Sequence, residues 1–236
     1  MKKNILYTML FVAAAFVMVS CGDDDSAGKS RITYYPTIEL TGGSYYVADK
    51  GSTWEDPGYT SIMGGEDVSD QVTISGNVDT SKPGLYTLTY TTAKNEDGFG
   101  ASTTRTVIVA DPNDPVEGLY WNSSDSYRIR QGAEVKYGNE YPVVVLSNGD
   151  GTYNVDDMLG GWYCYRAGYG SDYAMGATIS VADGTVTLED GYVPGWDDGP
   201  DEGFEGTFDA ATGTFTLTTK YANMDFVQTW VKQVKE

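Results

Sequence analysis

The chain reads as an all-β protein: an Ig-like β-sandwich followed by an antiparallel meander that forms a barrel-like or strongly curved sheet. Three observations predict this class. After residue 20 no long stretch places apolar residues at helical spacing. The 19 tyrosines, with abundant threonine and valine, are the composition of strands rather than helices. Turn residues recur at short intervals among 29 glycines, as in proteins built from many short strands.

Residues 1–20 form an export signal, with Lys2 and Lys3 as a positive start, an apolar run from Ile5 to Val19, and the small Ser20 before Cys21. At about 15 residues that run falls short of the roughly 20 needed to span a bilayer. Val17-Met18-Val19-Ser20-Cys21 resembles a bacterial lipobox, with Met18 where leucine is usual. The resemblance implies cleavage before Cys21, lipidation of its thiol, and a membrane partner reached through that anchor. Gly22-Asp23-Asp24-Asp25 resembles the acidic signal that sends Bacteroidetes-type lipoproteins to the outer face of the outer membrane. Residues 21–33 are then an acidic tether.

Without residues 1–20 the chain keeps 13 basic and 34 acidic residues, a net charge of −21. A polyanion of this strength is repelled by phosphate backbones, so no nucleic-acid partner is expected. Histidine is absent, which removes His-based nucleophilic catalysis and the commonest transition-metal ligand. Cys164 is the one thiol left once Cys21 is acylated, so neither an intrachain disulfide nor a thiolate metal site is expected.

The first domain is placed at 34–110. Alternation is clearest from Pro83 to Tyr90, where Tyr86, Leu88 and Tyr90 share a face, and again from Thr103 to Val109. With a turn at Asn95-Glu96-Asp97-Gly98 the two runs make a hairpin, and earlier strands are expected at Thr37 to Leu40, Ser44 to Val47 and Val72 to Ser75. Gly51-Ser52-Thr53-Trp54-Glu55-Asp56-Pro57-Gly58-Tyr59, Gly65-Glu66-Asp67-Val68-Ser69 and the two alternating runs resemble the bacterial immunoglobulin-like domain of surface proteins and some crystal toxins. The resemblance implies a spacer or interaction module without the antibody disulfide, Leu88 standing where a cysteine would follow a tyrosine corner. Asp56, Pro57 and Gly58 are expected to form a turn.

A linker at 111–115 carries Pro112 and Pro115, which fix φ and should constrain the angle between the domains. The second domain, 116–236, is dense in hairpin signals. Asp183-Gly184 is a type I′ candidate, while Asn148-Gly149-Asp150-Gly151 and Thr212-Gly213 mark further corners. Eight to ten strands are expected, around Gly118, Tyr127, Val143, Tyr153, Tyr163, Ile179, Val186, Phe204, Phe215 and Val227. Signal, Ig-like domain and Tyr- and Gly-rich meander together resemble an uncharacterised family of Bacteroidetes-type lipoproteins. The frequent setting of that family beside outer-membrane glycan-uptake machinery implies carbohydrate binding.

Two stretches carry candidate chemistry. Trp162-Tyr163-Cys164-Tyr165-Arg166 with Tyr169 and Tyr173 gathers rings of the kind that stack on the apolar face of a pyranose. The competing reading is that these rings are core. A buried Cys164 on a strand would draw Trp162 inward and turn Tyr163 and Tyr165 to the opposite face. Val193 to Gly203 strands Trp196 among carboxylates in a Pro- and Gly-rich loop, where it either meets a ligand with Asp197 and Asp198 or plugs the barrel mouth. The ligand-binding candidates are therefore Tyr163, Tyr165, Tyr169, Tyr173, Trp196, Asp197 and Asp198, with Ca²⁺ at Asp197, Asp198 and Asp201 as a minor alternative. No catalytic or metal site and no cofactor are assigned. The leading expectation is a glycan-binding surface lipoprotein that is not an enzyme. The alternatives are a structural or adhesive protein whose partner is another surface protein, and a glycoside hydrolase, for which any chance pair of carboxylates would serve.

Overall fold

The computed structural model describes residues 32–234; the signal at 1–20, Cys21 and Asp23 to Asp25 lie outside the described residues. The Ig-like domain contains β1 (Thr37–Leu40), β2 (Tyr45–Asp49), β3 (Tyr59–Met63), β4 (Glu66–Asp67), β5 (Thr73–Ser75), β6 (Gly84–Thr91) and β7 (Ser102–Ala110). One sheet runs β1-β3-β4 and the other β2-β7-β6-β5, with β2 parallel to β7. Leu88, Tyr90, Val107 and Val109 fill the core between them. The hairpin of β6 and β7 is as expected, and β2 begins one residue later than predicted. The short β3 and β4 carry no clear alternation and were not anticipated. Tyr86 Oη donates to Lys82 O at 2.9 Å, the tyrosine corner anticipated above.

Asp56 does more than form a turn. Its carboxylate accepts from Gly58 N at 2.8 Å, from Tyr90 Oη, and from Arg105 Nη1 at 3.2 Å. Arg105 is fully buried and also donates to Thr41 O at 2.7 Å and Gly58 O at 3.0 Å. A cation can be placed in this sandwich because a carboxylate and two carbonyls replace its water.

The second domain contains β8 (Gly118–Asn122), β9 (Tyr127–Arg130), β10 (Ala133–Lys136), β11 (Tyr141–Ser147), β12 (Thr152–Val155), β13 (Gly176–Ala182), β14 (Thr185–Tyr192), β15 (Glu205–Asp209), β16 (Thr214–Tyr221) and β17 (Met224–Lys232). The eight strands β8-β11-β12-β13-β14-β15-β16-β17 close into an antiparallel barrel because β17 also pairs with β8. Closure removes the free edges of a meander. Tyr120, Val143, Val145, Phe215, Leu217, Phe226 and Trp230 point inward. The β9–β10 hairpin hangs from β17 beyond the end of β8.

Asp183 and Gly184 have φ of 50° and 78°, the two positive values that a type I′ turn requires. Gln131-Gly132 and Ala222-Asn223 make further two-residue turns of positive φ, which the sequence reading did not identify. The strand expected around Tyr163 does not form; Trp162–Arg166 is a short π-helical turn. Two-residue alternation therefore does not govern Trp162, Tyr163, Cys164 and Tyr165. Cys164 is only half-buried.

The domains pack side by side. Ile108 and Ala110 of β7 bury against Leu119 and Val144 on the outer wall of the barrel, flanked by Tyr45, Val47, Trp121 and Leu146. The linker is pinned by Glu117, a buried carboxylate that accepts Asp111 N at 2.6 Å and Ser147 N at 2.7 Å.

Candidate functional site

One mouth of the barrel lies at the linker; the other is plugged by residues 156–175 and overlaid by the loop at 193–204. The plug is held by full use of its polar groups. The fully buried Asp157 carboxylate accepts the N–H groups of Leu159 at 3.0 Å, Gly161 at 2.9 Å and Met175 at 3.1 Å. Desolvation pushes Asp157 up to about 6, against the pull of those donors. The carbonyls of Met158, Leu159 and Gly160 accept from Gln228 Nε2 at 3.0 Å, Tyr137 Oη at 2.6 Å and Asn122 Nδ2 at 2.8 Å. Two glycines permit this fit. A Cβ on Gly160 would lie 2.1 Å from Gln228 Oε1, one on Gly161 would lie 2.5 Å from Tyr141 Cβ, and both residues have positive φ.

The π-helical turn sends its aromatics to different places. Trp162 is 3% exposed and packs on Tyr137 and Phe226, with the guanidinium carbons of Arg128 and Arg166 at 4.5 and 4.2 Å from its ring centre. Its inward placement was foreseen, although on strand geometry that does not apply. Tyr163 turns outward to Trp196, ring centres 4.6 Å apart. Tyr165 departs from this group: it stacks on Tyr141 at 5.8 Å and its hydroxyl meets that of Tyr45 at 2.9 Å, at the domain seam.

Trp196 sits at the tip of a tight loop. Val193, fully buried, anchors the loop; Pro194 starts a 3₁₀ turn, Asp197 reverses the chain at φ 52°, and Val193 bridges to Asp198. Gly195 is required at the tip, since a Cβ there would lie 2.5 Å from Tyr173 Cε1. Trp196 contacts Tyr173 at 4.7 Å, Tyr169 at 5.9 Å and Tyr221 at 6.1 Å between ring centres. Four of the predicted residues, Tyr163, Tyr169, Tyr173 and Trp196, thus form one aromatic surface. Tyr169 remains 56% exposed and Trp196 40%. Tyr221, which sequence reasoning missed, closes the surface from below as the last inward residue of β16.

Carboxylates border this surface on one side. Asp197 accepts from Tyr192 Oη, Asp198 Oδ1 from Gly199 N at 2.9 Å, and Asp201 Oδ2 from Asn223 N at 2.8 Å. Among the described residues no group of three or more metal-ligating side chains gathers, at Asp197, Asp198 and Asp201 or elsewhere. Burial raises the Tyr221 hydroxyl to about 12, with help from the charges of Asp198 and Asp201. Cys164 is likewise pushed up to about 11 by burial, so its thiol stays protonated and weakly nucleophilic at neutral pH.

Comparison with known proteins agrees with this architecture. A family model for a bacterial surface protein Ig-like domain matches residues 38–109, and one for a C-terminal domain matches residues 109–232, over half of the chain. Among solved structures, the lipoprotein BT2262 from Bacteroides thetaiotaomicron is 39% identical at a TM-score of 0.72, covering 84% of this chain and 100% of that one. The CBM51-2 and INT domains of Clostridium perfringens ZmpB, solved with GlcNAc, align at 16% identity over 50% of this chain and 31% of that one. Their TM-score of 0.28 carries no argument. No curated protein matches. An Ig-like sandwich joined to a closed barrel, alignment with BT2262 along that protein's whole length, and a family model over the barrel place this chain in the BT2262-type family of bacterial surface lipoproteins.

Proposed function

We propose that the protein binds a carbohydrate at the far mouth of the barrel, while lipid on Cys21 holds it at the outer membrane facing the cell exterior. The Ig-like domain serves as the stalk, and the task is capture rather than catalysis, with no cofactor. The observation that carries the reading is the exposure of Trp196 and Tyr169 within one aromatic surface. Large rings left in water at the tip of a glycine-dependent loop gain most from a partner that is apolar on one face and hydroxylated at its edge. The neighbouring carboxylates of Asp197 and Asp198 suit sugar hydroxyls.

The test is affinity electrophoresis of the full chain in detergent against a panel of plant and host polysaccharides. Retardation by at least one polymer, lost in Trp196→Ala, is expected; the absence of retardation by every polymer would sink the reading. The anchor has its own test: Cys21→Ala should release the chain from the membrane fraction.

A further inference from the structure

We propose that the far mouth selects acidic saccharides, through an edge formed by Arg128 and Arg130 beside the aromatic surface. The inference rests on the carbohydrate reading above and adds a charge to the ligand.

The chain has more than twice as many acidic as basic residues, so three arginines gathered at one place without a carboxylate partner form a local exception to its charge. Among the described residues Lys50, Lys82, Arg105 and Lys136 have carboxylate partners. The other described cations, Lys94, Lys220, Lys232 and the three arginines Arg128, Arg130 and Arg166, have none, and the three arginines stand together beside the far mouth. Arg166 spends its Nε on the carbonyls of Lys136 and Tyr137, at 3.0 and 3.1 Å. Arg128 keeps a buried Nε with no hydrogen bond.

Register places the other two arginines beside the rings. Arg128 pairs with Phe226, whose ring lies 6.0 Å from that of Tyr163, and residues paired across a ladder share a face. Arg130, two residues on, projects from the same face and is exposed. Their charge reaches the aromatic surface: burial raises the Tyr163 hydroxyl, and Arg128 and Arg130 both pull it back. Stacking on Trp162 fixes the Arg128 guanidinium without consuming a carboxylate. A planar donor fork held beside a stacking platform suits a sugar carboxylate or sulfate, which it can grip in bidentate fashion.

The experiment compares polygalacturonate with its carboxyl-reduced neutral form, and heparin with its desulfated form, by affinity electrophoresis of the full chain in detergent. At least one acidic polymer is expected to bind at least tenfold more tightly than its neutral counterpart and to lose that advantage in raised salt. Arg130→Gln should abolish the advantage, Arg130→Lys should restore part of it, and the melting temperature should not move. Equal binding of acidic and neutral forms would overturn this inference and leave the aromatic reading standing. An acidic preference unchanged in both Arg130→Gln and Arg128→Gln would overturn it as well, as would equal retention on polyaspartate, which carries charge without sugar. Binding to no saccharide would remove both proposals together.

Discussion

Each domain holds an arginine against an aromatic ring, and the two are treated differently. In the Ig-like domain Arg105 lies 5.7 Å from the Tyr90 ring centre and is neutralised by Asp56 and two carbonyls. At the barrel mouth Arg128 lies 4.5 Å from the Trp162 ring centre and has no carboxylate. Both leave a buried Nε unbonded, although Arg105 is fully buried and Arg128 only partly. A further difference lies in the countercharge. A cation with its countercharge supplied by the chain is a keystone of packing; one stacked in place without it is left for chemistry outside the chain.

The largest expected effect removes the seat of the unpaired arginine. Trp162→Ala, a large-to-small change at a buried ring, should cost about 3–5 kcal/mol in denaturant unfolding. A loss below about 1 kcal/mol would show that the plug does not depend on that ring. Next, Asp56→Ala strands Arg105 in the sandwich and should cost about 3 kcal/mol, the lower end for a broken buried pair because Asp56 keeps 23% exposure. A neutral result would erase the distinction between the two arginines.

The third effect concerns pH. Asp157 is pushed up to about 6 in the folded chain and returns to about 3.9 when unfolded, so the native state binds more protons between these values. Its neighbour Asp156 is raised by burial to about 7, so the two carboxyls together contribute stability that is greatest near pH 4, falls as pH rises, and levels off only above about pH 7. Melting temperatures at about pH 4.5 and 7 should show this slope in the natural chain, a shallower one in Asp157→Asn, and none in the double variant Asp156→Asn with Asp157→Asn. The smallest stability effects belong to the exposed rings. Tyr169→Ala should cost under about 1 kcal/mol, and Trp196→Ala little more. Each should weaken saccharide binding at least tenfold, which corresponds to 1.4 kcal/mol. Unfolding without a binding phenotype would make the surface core after all.

Local rules made much of this fold legible. The β6–β7 hairpin, the Asp183-Gly184 turn and the tyrosine corner at Tyr86 follow from alternation and turn chemistry within a few residues. The aromatic surface was half legible: its rings were identified, but Tyr163 was placed on a strand. What overrides the strand is a set of distant partners, Gln228, Asn122 and Tyr137, that take the carbonyls of the plug, together with the room left by Gly160 and Gly161. Arg128 and Arg130 drew no notice because a charge acquires an address only through register, here with β17. The run Pro142-Val143-Val144-Val145-Leu146 held a signal that went unused. An apolar run without alternation is a strand covered on both faces, and the second cover is the Ig-like domain.

That second cover bears on how the molecule can be dissected. Leu119, Trp121, Val144 and Leu146 stand on the outside of a barrel that is closed in hydrogen bonding, yet they are sheltered by Tyr45, Val47, Ile108 and Ala110. A fragment cut at the linker would keep every strand of the barrel and present this wall to water as a contiguous sticky patch. The excised barrel should self-associate more strongly than the whole chain, and Val144→Thr with Leu146→Thr should restore its solubility.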